Sequence, residues 1–453
     1  MEYVASFFDS TQVTIVAVPL AIWIFTVHLG TVVQSQSGLS VLSLSKSIQE
    51  LTVARVSRLN VLDVFRVFGI AWVMMNHTGS EGRIDILERN PSAETFKRAV
   101  HEHPIFGAFL GNSALGVEIF LVLSGLLAAR TWQREAHKPF WSHYAKYITR
   151  RVVRLFPSVA FFVYLAAGPI MQNLLPRFHT SMISTCGFKG IGAHLAFLSN
   201  WQETPTCLGY LWYVGLDMQL HLVAPFIFHA LNKWPQTALS AIVAVIGAST
   251  ALRAKTCMDY DICNKSDVDI PFISYPNVDP ETVKHVYEGL WEMYARPCTK
   301  IGPFIIGLTY GYFSLTWEKT VRLSNKASSI LFSAGLILAI AIIFAILPEI
   351  RIPVYWSVLA KLTFSAYLLH MPVVYVFNYM EYLQKAEGAI ALLVVLPLVF
   401  SLSFICAVPF HLFVEAPFNR VVTMWEKQMG EEHIPPVNQP QNNERRSVNI
   451  NNS

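Results

Sequence analysis

Long apolar stretches recur along most of this 453-residue chain and limit its fold more than any other sequence feature. A helix needs roughly 20 mostly apolar residues to cross a bilayer. Charged residues make up 14% of the chain, well below the ~25% of ordinary soluble domains. The sequence therefore predicts an all-α, multi-pass transmembrane helix bundle of about ten spans, and it argues against a soluble enzyme or a mainly disordered chain. The predicted spans are 12–33, 61–79, 113–130, 152–172, 211–231, 236–252, 301–316, 328–349, 356–378 and 389–414.

The positions of Lys and Arg predict the orientation of this bundle, because short cytosolic connections carry an excess of both. Basic residues gather in three connections, 34–60, 131–151 and 317–327. With ten spans, all three fall on one side, which is then cytosolic. The long connections 173–210 and 253–300 face the opposite side.

The connections on that opposite side carry the signs of an oxidising compartment. Cys186 and Cys207 bracket a short apolar segment, so we expect them to form a disulfide. Cys257 and Cys263 are a weaker candidate pair. Asn264 begins a glycosylation sequon in the same region. These features are typical of a glycosylated, disulfide-bonded protein of the endoplasmic reticulum or the plasma membrane.

The chain divides into three parts by composition. Residues 1–56 comprise an N-terminal transmembrane helix and a cytosolic linker, and residues 57–420 form the membrane domain. Residues 421–453 are the remaining part, and from about residue 429 they are rich in Asn, Gln, Pro and Glu and have no apolar period. We therefore predict a polar, disordered tail.

Charged groups inside a predicted span are costly in lipid and therefore mark candidate functional residues. The second span carries Asp63, Arg66 and His77 on one helical face, since eleven residues return to nearly the same direction. Asp63, one turn before Arg66, can neutralise it. Two interpretations stay open: an ion pair between helices with His77 as a polar contact, or a catalytic stripe in which Arg66 or Asp63 positions His77 as general base.

Four further ionisable residues lie within predicted spans and are secondary candidates. Asp217 and His221 stand four residues apart, so they can bond, as in a general-base pair or a proton relay. Glu118 is a buried acid that needs a partner, and His370 is another intramembrane histidine. Ser124 precedes a glycine, and we interpret it as part of a small-residue packing site between helices.

Arg150, Arg151 and Arg154 open the fourth span. Such a cluster either anchors a helix at the cytosolic face or clamps a phosphate-bearing ligand; charge alone favours the anchor. The His-Glu-His tripeptide at 101–103 has no third ligand at useful spacing, so the sequence predicts no metal site.

Six motifs are spread in order over residues 57–420. They are Asp63-x-x-Arg66 with His77, Glu118-x-Phe120-Leu-Val-Leu-Ser124-Gly125, Arg150-Arg151-x-x-Arg154-Leu-x-Pro157, Trp212-Tyr213-x-x-x-Asp217-Met218-Gln219, Tyr294-Ala-Arg296-Pro297-x-Thr-Lys-Ile301-Gly302-Pro303 and Lys361-Leu-Thr-Phe-Ser365-Ala-Tyr367-Leu-x-His370. As a set they resemble the membrane acyltransferase-3 family and its nose-resistant-to-fluoxetine-type animal branch. The resemblance implies transfer of an acyl group, usually from cytosolic acyl-CoA, to an acceptor handled at the membrane. It also matches His77 to the family's catalytic histidine, Arg66 to its intramembrane arginine, and the arginines at 150, 151 and 154 to its donor-side motif.

The favoured function is therefore an integral membrane O-acyltransferase that acts on a hydroxyl-bearing lipid, sterol or small molecule. Acyl-CoA is the expected donor substrate, membrane lipids are expected partners, and neither a permanently bound cofactor nor a nucleic-acid partner is expected. Two alternatives stay open. One is a transporter of lipids or xenobiotics that uses the same charges as a relay; the other is a catalytically silent membrane regulator of a signalling or stress pathway.

Overall fold

The computed structural model describes residues 11–32, 42–53, 61–80, 115–134, 139–183, 186–202, 207–263, 280–317, 354–378, 380 and 389–431. Every regular element within these residues is helical, so the predicted all-α class is confirmed. The helices are α1 (Thr11–Val32), α2 (Leu44–Thr52), α3 (Val61–Ser80), α4 (Leu115–Gln133), α5 (Phe140–Ala167), α6 (Pro169–Leu174), α7 (Pro176–Met182), α8 (Phe188–Leu195), α9 (Trp212–Lys233), α10 (Pro235–Asp259), α11 (Pro280–Ala295), α12 (Pro297–Trp317), α13 (Val354–Asn378), α14 (Ala389–Phe410) and α15 (Ala416–Glu431), with 3₁₀ turns at Ser199–Trp201 and Gly209–Leu211 and a π-helical turn at His411–Glu415.

Nine of the ten predicted spans coincide with helices, namely α1, α3, α4, α5, α9, α10, α12, α13 and α14. The tenth, 328–349, lies outside the described residues. Five segments in the described part are long and apolar enough to cross a membrane, which makes the chain a multi-pass membrane protein; the total of ten spans stays a prediction. Those segments are Leu115–Gln133, Gly209–Lys233, Pro235–Asp259, Trp356–Phe377 and Val394–Trp425.

Helices α4 and α12 pack closely because glycines line the seam between them. A Cβ atom on Gly125 would lie 2.0 Å from the Phe304 carbonyl oxygen, and one on Gly307 would lie 2.0 Å from that of Val122. Small residues let membrane helices approach in this way. The packing role that the sequence assigned to Ser124 together with Gly125 therefore belongs to the glycine, and the serine side chain has another contact, described below.

A cap of short helices, α6 to α8, follows α5 on the side that the sequence predicts to be non-cytosolic. The expected Cys186–Cys207 disulfide forms across it, with the two Cα atoms 4.8 Å apart, and Cys257 and Cys263 are also bonded. These separations lie within the usual range for disulfides. Asn264, the predicted glycosylation site, lies outside the described residues.

The two ends of the described chain pack on each other, which corrects the predicted tail. Helix α15 continues to Glu431, so residues 421–431 are helical instead of disordered. Its first turns are held from outside: the Phe418 ring stacks on Trp23 at 4.8 Å, and Arg420 donates hydrogen bonds to the Ser43 carbonyl and the Ser47 hydroxyl. Composition alone does not reveal these contacts to distant segments. The remainder of the predicted tail lies outside the described residues.

Candidate active site

Two histidines of predicted spans meet at the contact between α3 and α13. The Nδ1 atom of His77 lies 2.6 Å from Nε2 of His370, and the two rings stack with their centroids 4.9 Å apart. His370 is fully buried, and His77 is half-buried. The main and the secondary histidine candidates of the sequence analysis, 293 residues apart in the chain, thus form one unit.

The hydrogen bonds of this pair fix its tautomers. Nδ1 of His370 lies 2.7 Å from the carbonyl oxygen of Tyr367, and a carbonyl can only accept a hydrogen bond. In the neutral pair, His370 therefore donates from Nδ1 and accepts at Nε2, so His77 must donate from its own Nδ1. This assignment, inferred from the hydrogen-bond network, places the lone pair of His77 on Nε2, the nitrogen that points away from His370.

Two tyrosines hold His370 in position. The Tyr367 hydroxyl donates to the carbonyl of Tyr210, and the Tyr210 hydroxyl donates to the Leu368 carbonyl at 3.1 Å. The Tyr210 ring also meets His370 edge-on at 5.4 Å. These reciprocal bonds join α13 to the 3₁₀ turn before α9, so the imidazole orientation does not depend on one helix alone.

A second polar cluster is centred on the buried carboxylate of Asp217. Ser124 of α4 and Arg151 of α5 each donate to one of its oxygens. His221 lies one turn later, but its Nδ1 bonds the main-chain carbonyl of Asp217 at 2.8 Å and stays 3.6 Å from the carboxylate. The expected Asp217–His221 proximity is present, yet the carboxylate chiefly joins three helices.

An aromatic wall connects the two clusters. Tyr213, one turn before Asp217 on α9, packs against Phe120 of α4 and Tyr367 of α13, both with ring centroids 6.2 Å apart. Tyr367 belongs to the support of His370. The Asp217 cluster is therefore linked to the support of His370 through the contact between Tyr213 and Tyr367.

Arg66 forms the expected ion pair with Asp63, at 3.3 Å, but it does not position His77. Helix α3 is continuous from Val61 to Ser80, so eleven residues separate the two side chains by about 16 Å along the axis. Arg66 and His77 can lie on the same face of α3, as the sequence predicts, but they are too far apart along the helix for their side chains to touch. The residue that orients His77 is His370.

Glu118 finds its partner in Lys300 of α12, whose Nζ lies 2.5 Å from the carboxylate. Lys300 is almost wholly buried, and its ammonium also lies 4.0 Å from the centre of the Tyr294 ring. Glu118 and Lys300 therefore form an interhelical ion pair. Sequence reasoning named the acid but missed the lysine, which stands inside the 294–303 motif.

The three arginines of α5 divide between two directions. Arg151 points into the bundle and binds Asp217, whereas Arg154 is exposed and Arg150 half-buried. Arg150 and Arg154 lie one turn apart and share a helical face, while Arg151 is rotated by about 100°. Arg151 is thus engaged inside the bundle, and the phosphate clamp stays a prediction. Sequence reasoning gave Ser124 a packing role and missed its hydrogen bond to Asp217.

Comparison with known proteins identifies the family of the chain. The sequence profile of the acyltransferase-3 family, described as an acyltransferase domain, matches residues 59–357. The chain is 51% identical over 457 residues to regulator of hypoxia-inducible factor 1 of Caenorhabditis elegans, across 91% of this chain and 89% of that protein. It is 24% identical over 325 residues to nose resistant to fluoxetine protein 6 of Caenorhabditis elegans, across 64% of this chain and 36% of that protein. No solved structure matches the chain. The chain belongs to the acyltransferase-3 family of membrane proteins.

Proposed function

We propose that the protein is an O-acyltransferase that moves an acyl group from acyl-CoA to a hydroxyl-bearing acceptor at the membrane. Family membership supports acyl transfer as the reaction class. The observation that carries the finer proposal is the hydrogen-bonded series from His77 through His370 to the Tyr367 carbonyl. These hydrogen bonds leave the lone pair of His77 on Nε2. This nitrogen can then deprotonate the hydroxyl of an acceptor away from bulk water.

The proposed step is direct transfer. Nε2 of His77 takes the proton of the acceptor hydroxyl while the oxygen attacks the thioester carbonyl carbon. The carbon–sulfur bond then breaks, an ester forms, and the CoA thiolate leaves and receives the proton from His77. Through its hydrogen bond, His370 stabilises the positive charge that His77 carries between these events, as the acid does in a Ser-His-Asp triad.

Arg150 and Arg154 are proposed to hold the phosphates of the donor. They lie on one face of α5 at the start of the predicted span 152–172, on the side that the sequence predicts to be cytosolic, where acyl-CoA is available. Guanidinium groups suit this task because their planar donors match phosphate oxygens. Arg151 keeps α5 in register with α9 through Asp217.

A regulator without catalysis is the second candidate, because the relative of 51% identity is named as a regulator of hypoxia-inducible factor 1. In that case His77 and His370 would serve only to hold α3 and α13 together. The two candidates differ in one property, which is whether acyl transfer depends on the histidine pair.

The test is the formation of labelled product. Purified protein is supplied with radiolabelled acyl-CoA and a membrane lipid extract, and acylated products are separated by chromatography. Wild type and His28→Ala should form product, since His28 is an exposed histidine of α1, whereas His77→Ala should form ~10²–10⁴-fold less. If no product forms with wild-type protein, or if His77→Ala matches the His28→Ala control, the catalytic proposal is wrong and the regulatory one replaces it.

A further inference from the structure

Two arginines stand where α4 ends: Arg130 is half-buried, and Arg134, just past the last helical residue, is exposed. Leu127, Arg130, Thr131 and Arg134 follow the spacing i, i+3, i+4 and i+7, so they lie on a single stripe at the end of the helix. Trp132 points to the opposite side, where it is buried and stacks on His143 of α5 at 3.8 Å. The packed side therefore fixes the helix end and the direction of the arginine stripe.

This stripe lines a cavity of about 230 Å³. Leu315 of α12 and the polar side chain of Gln133 also line this cavity. Leu127 also packs in an apolar cluster with Leu62 and Phe65 of α3 and with Tyr310 of α12; Leu62 is among the buried members. The cavity is thus lined by two arginines and two leucines, and one of these leucines, Leu127, also packs in an apolar cluster formed by three helices.

The two arginines lack anionic partners within the described part of the chain. Neither Arg130 nor Arg134 forms an ion pair with a described residue, and the buried Nε of Arg130 has no hydrogen-bond partner among them. Like charges one turn apart on a helix repel each other. An anion placed between them removes this repulsion and supplies acceptors for the guanidinium donors.

We propose that the cavity binds the phosphate ester of an amphiphilic molecule, with its hydrocarbon part against Leu127 and Leu315. Phosphate fits because two guanidinium forks can each donate two hydrogen bonds to its oxygens. A molecule with an attached hydrocarbon part fits because Leu127 and Leu315 border the same cavity. Two sources have this chemistry at the end of the bundle predicted to be cytosolic: an anionic phospholipid and acyl-CoA itself. The phospholipid source does not depend on the proposed function, whereas the acyl-CoA source deepens it.

Binding measurements on charge-matched variants test the site. The double substitution Arg130→Gln/Arg134→Gln is compared with Arg177→Gln/Lys189→Gln, which removes two exposed charges from the opposite side. Each protein is placed in neutral phosphatidylcholine nanodiscs and titrated with radiolabelled phosphatidic acid and, separately, with radiolabelled palmitoyl-CoA. Because two charge-assisted interactions are lost, we expect the first variant to bind at least one probe about tenfold or more weakly, while the control variant binds both like wild type.

The two probes distinguish the source of the phosphate. Weaker binding of phosphatidic acid alone identifies a phospholipid site, and weaker binding of palmitoyl-CoA identifies a site for the donor. Thr131→Trp, which fills the cavity and keeps both charges, should reproduce the loss and serves if the arginine variant does not fold. Unchanged binding of both probes by a folded variant of either kind overturns the inference. Both experiments measure binding and not turnover, so they can be interpreted even if the protein proves not to catalyse acyl transfer.

Discussion

Replacing Arg151 with Met should destabilise the protein strongly, because it leaves the Asp217 carboxylate inside the bundle without its cation. The Asp217 side chain is 7% exposed and that of Arg151 is 24% exposed. Removal of one partner of a buried ion pair costs about 3–5 kcal/mol. Since the arginine keeps some contact with solvent and Ser124 still donates to the carboxylate, we expect the lower end, ~3 kcal/mol. Asp217→Asn should cost less, ~1–2 kcal/mol, because the amide oxygen can still accept the Ser124 hydrogen bond.

The combination of both substitutions separates the ion pair from general packing. In Arg151→Met/Asp217→Asn no charge is stranded, so the loss should be smaller than the sum of the two single losses by roughly 2 kcal/mol. The assay is the apparent melting temperature in detergent, followed by fluorescence-detected size exclusion, where Arg151→Met should lower it by on the order of 5 °C. Lys255→Met is the control: its ion pair with Asp259 is exposed, so its melting temperature should not change measurably. Strictly additive losses would refute the reasoning.

Three further predictions concern the scaffold. Gly307→Ala should sharply reduce the yield of folded protein, because the new Cβ would lie 2.0 Å from the Val122 carbonyl oxygen. Gly302→Ala in the same helix is the control, since its Cβ would meet no atom within 4 Å and the protein should fold normally. The yield of folded protein on size exclusion tests both expectations. Cys186→Ala removes a disulfide that spans 21 residues and should lower the free energy of unfolding by about 3 kcal/mol. The melting temperature should fall, and reductant should not lower it further. Cys406→Ala removes an unbonded cysteine and should leave the melting temperature near that of the wild type. Lys300→Met should destabilise the protein by roughly 3 kcal/mol, because Glu118 loses its buried partner. Adding Glu118→Gln to this variant should recover much of the lost stability, measured by thermal unfolding. If the second substitution recovers none of it, the ion pair does not stabilise the protein as described.

Much of this architecture could be predicted because it follows from local sequence. The length of an apolar stretch determines whether a helix can span a membrane, and nine predicted spans coincide with helices. Asp63 and Arg66 are three residues apart on one helix, so their ion pair follows from helical geometry alone. The Cys186–Cys207 pairing followed from the predicted topology, which placed both cysteines on one side.

The parts that could not be predicted depend on how helices meet. No local pattern indicates that His77 on α3 faces His370 on α13, or that Ser124 and Arg151 converge on Asp217 from two other helices. The expectation that Arg66 positions His77 failed because a shared helical face gives direction and ignores axial distance, which is about 16 Å here. Helix α15 was missed because its stabilising contacts come from the opposite end of the chain.

The central claim is that His77 is the general base and that His370 orients it, so the two should act as one catalytic unit. The measurement is the turnover rate of His77→Ala, His370→Ala and the double variant, per folded molecule, with labelled acyl-CoA. Substitutions of residues that act as a unit have strongly non-additive effects on turnover, so the double variant should be no slower than His77→Ala. The His370→Gln variant should be faster than His370→Ala, because the glutamine amide oxygen can still accept the hydrogen bond from His77. Multiplicative losses in the double variant, or full turnover in His77→Ala, would contradict the account.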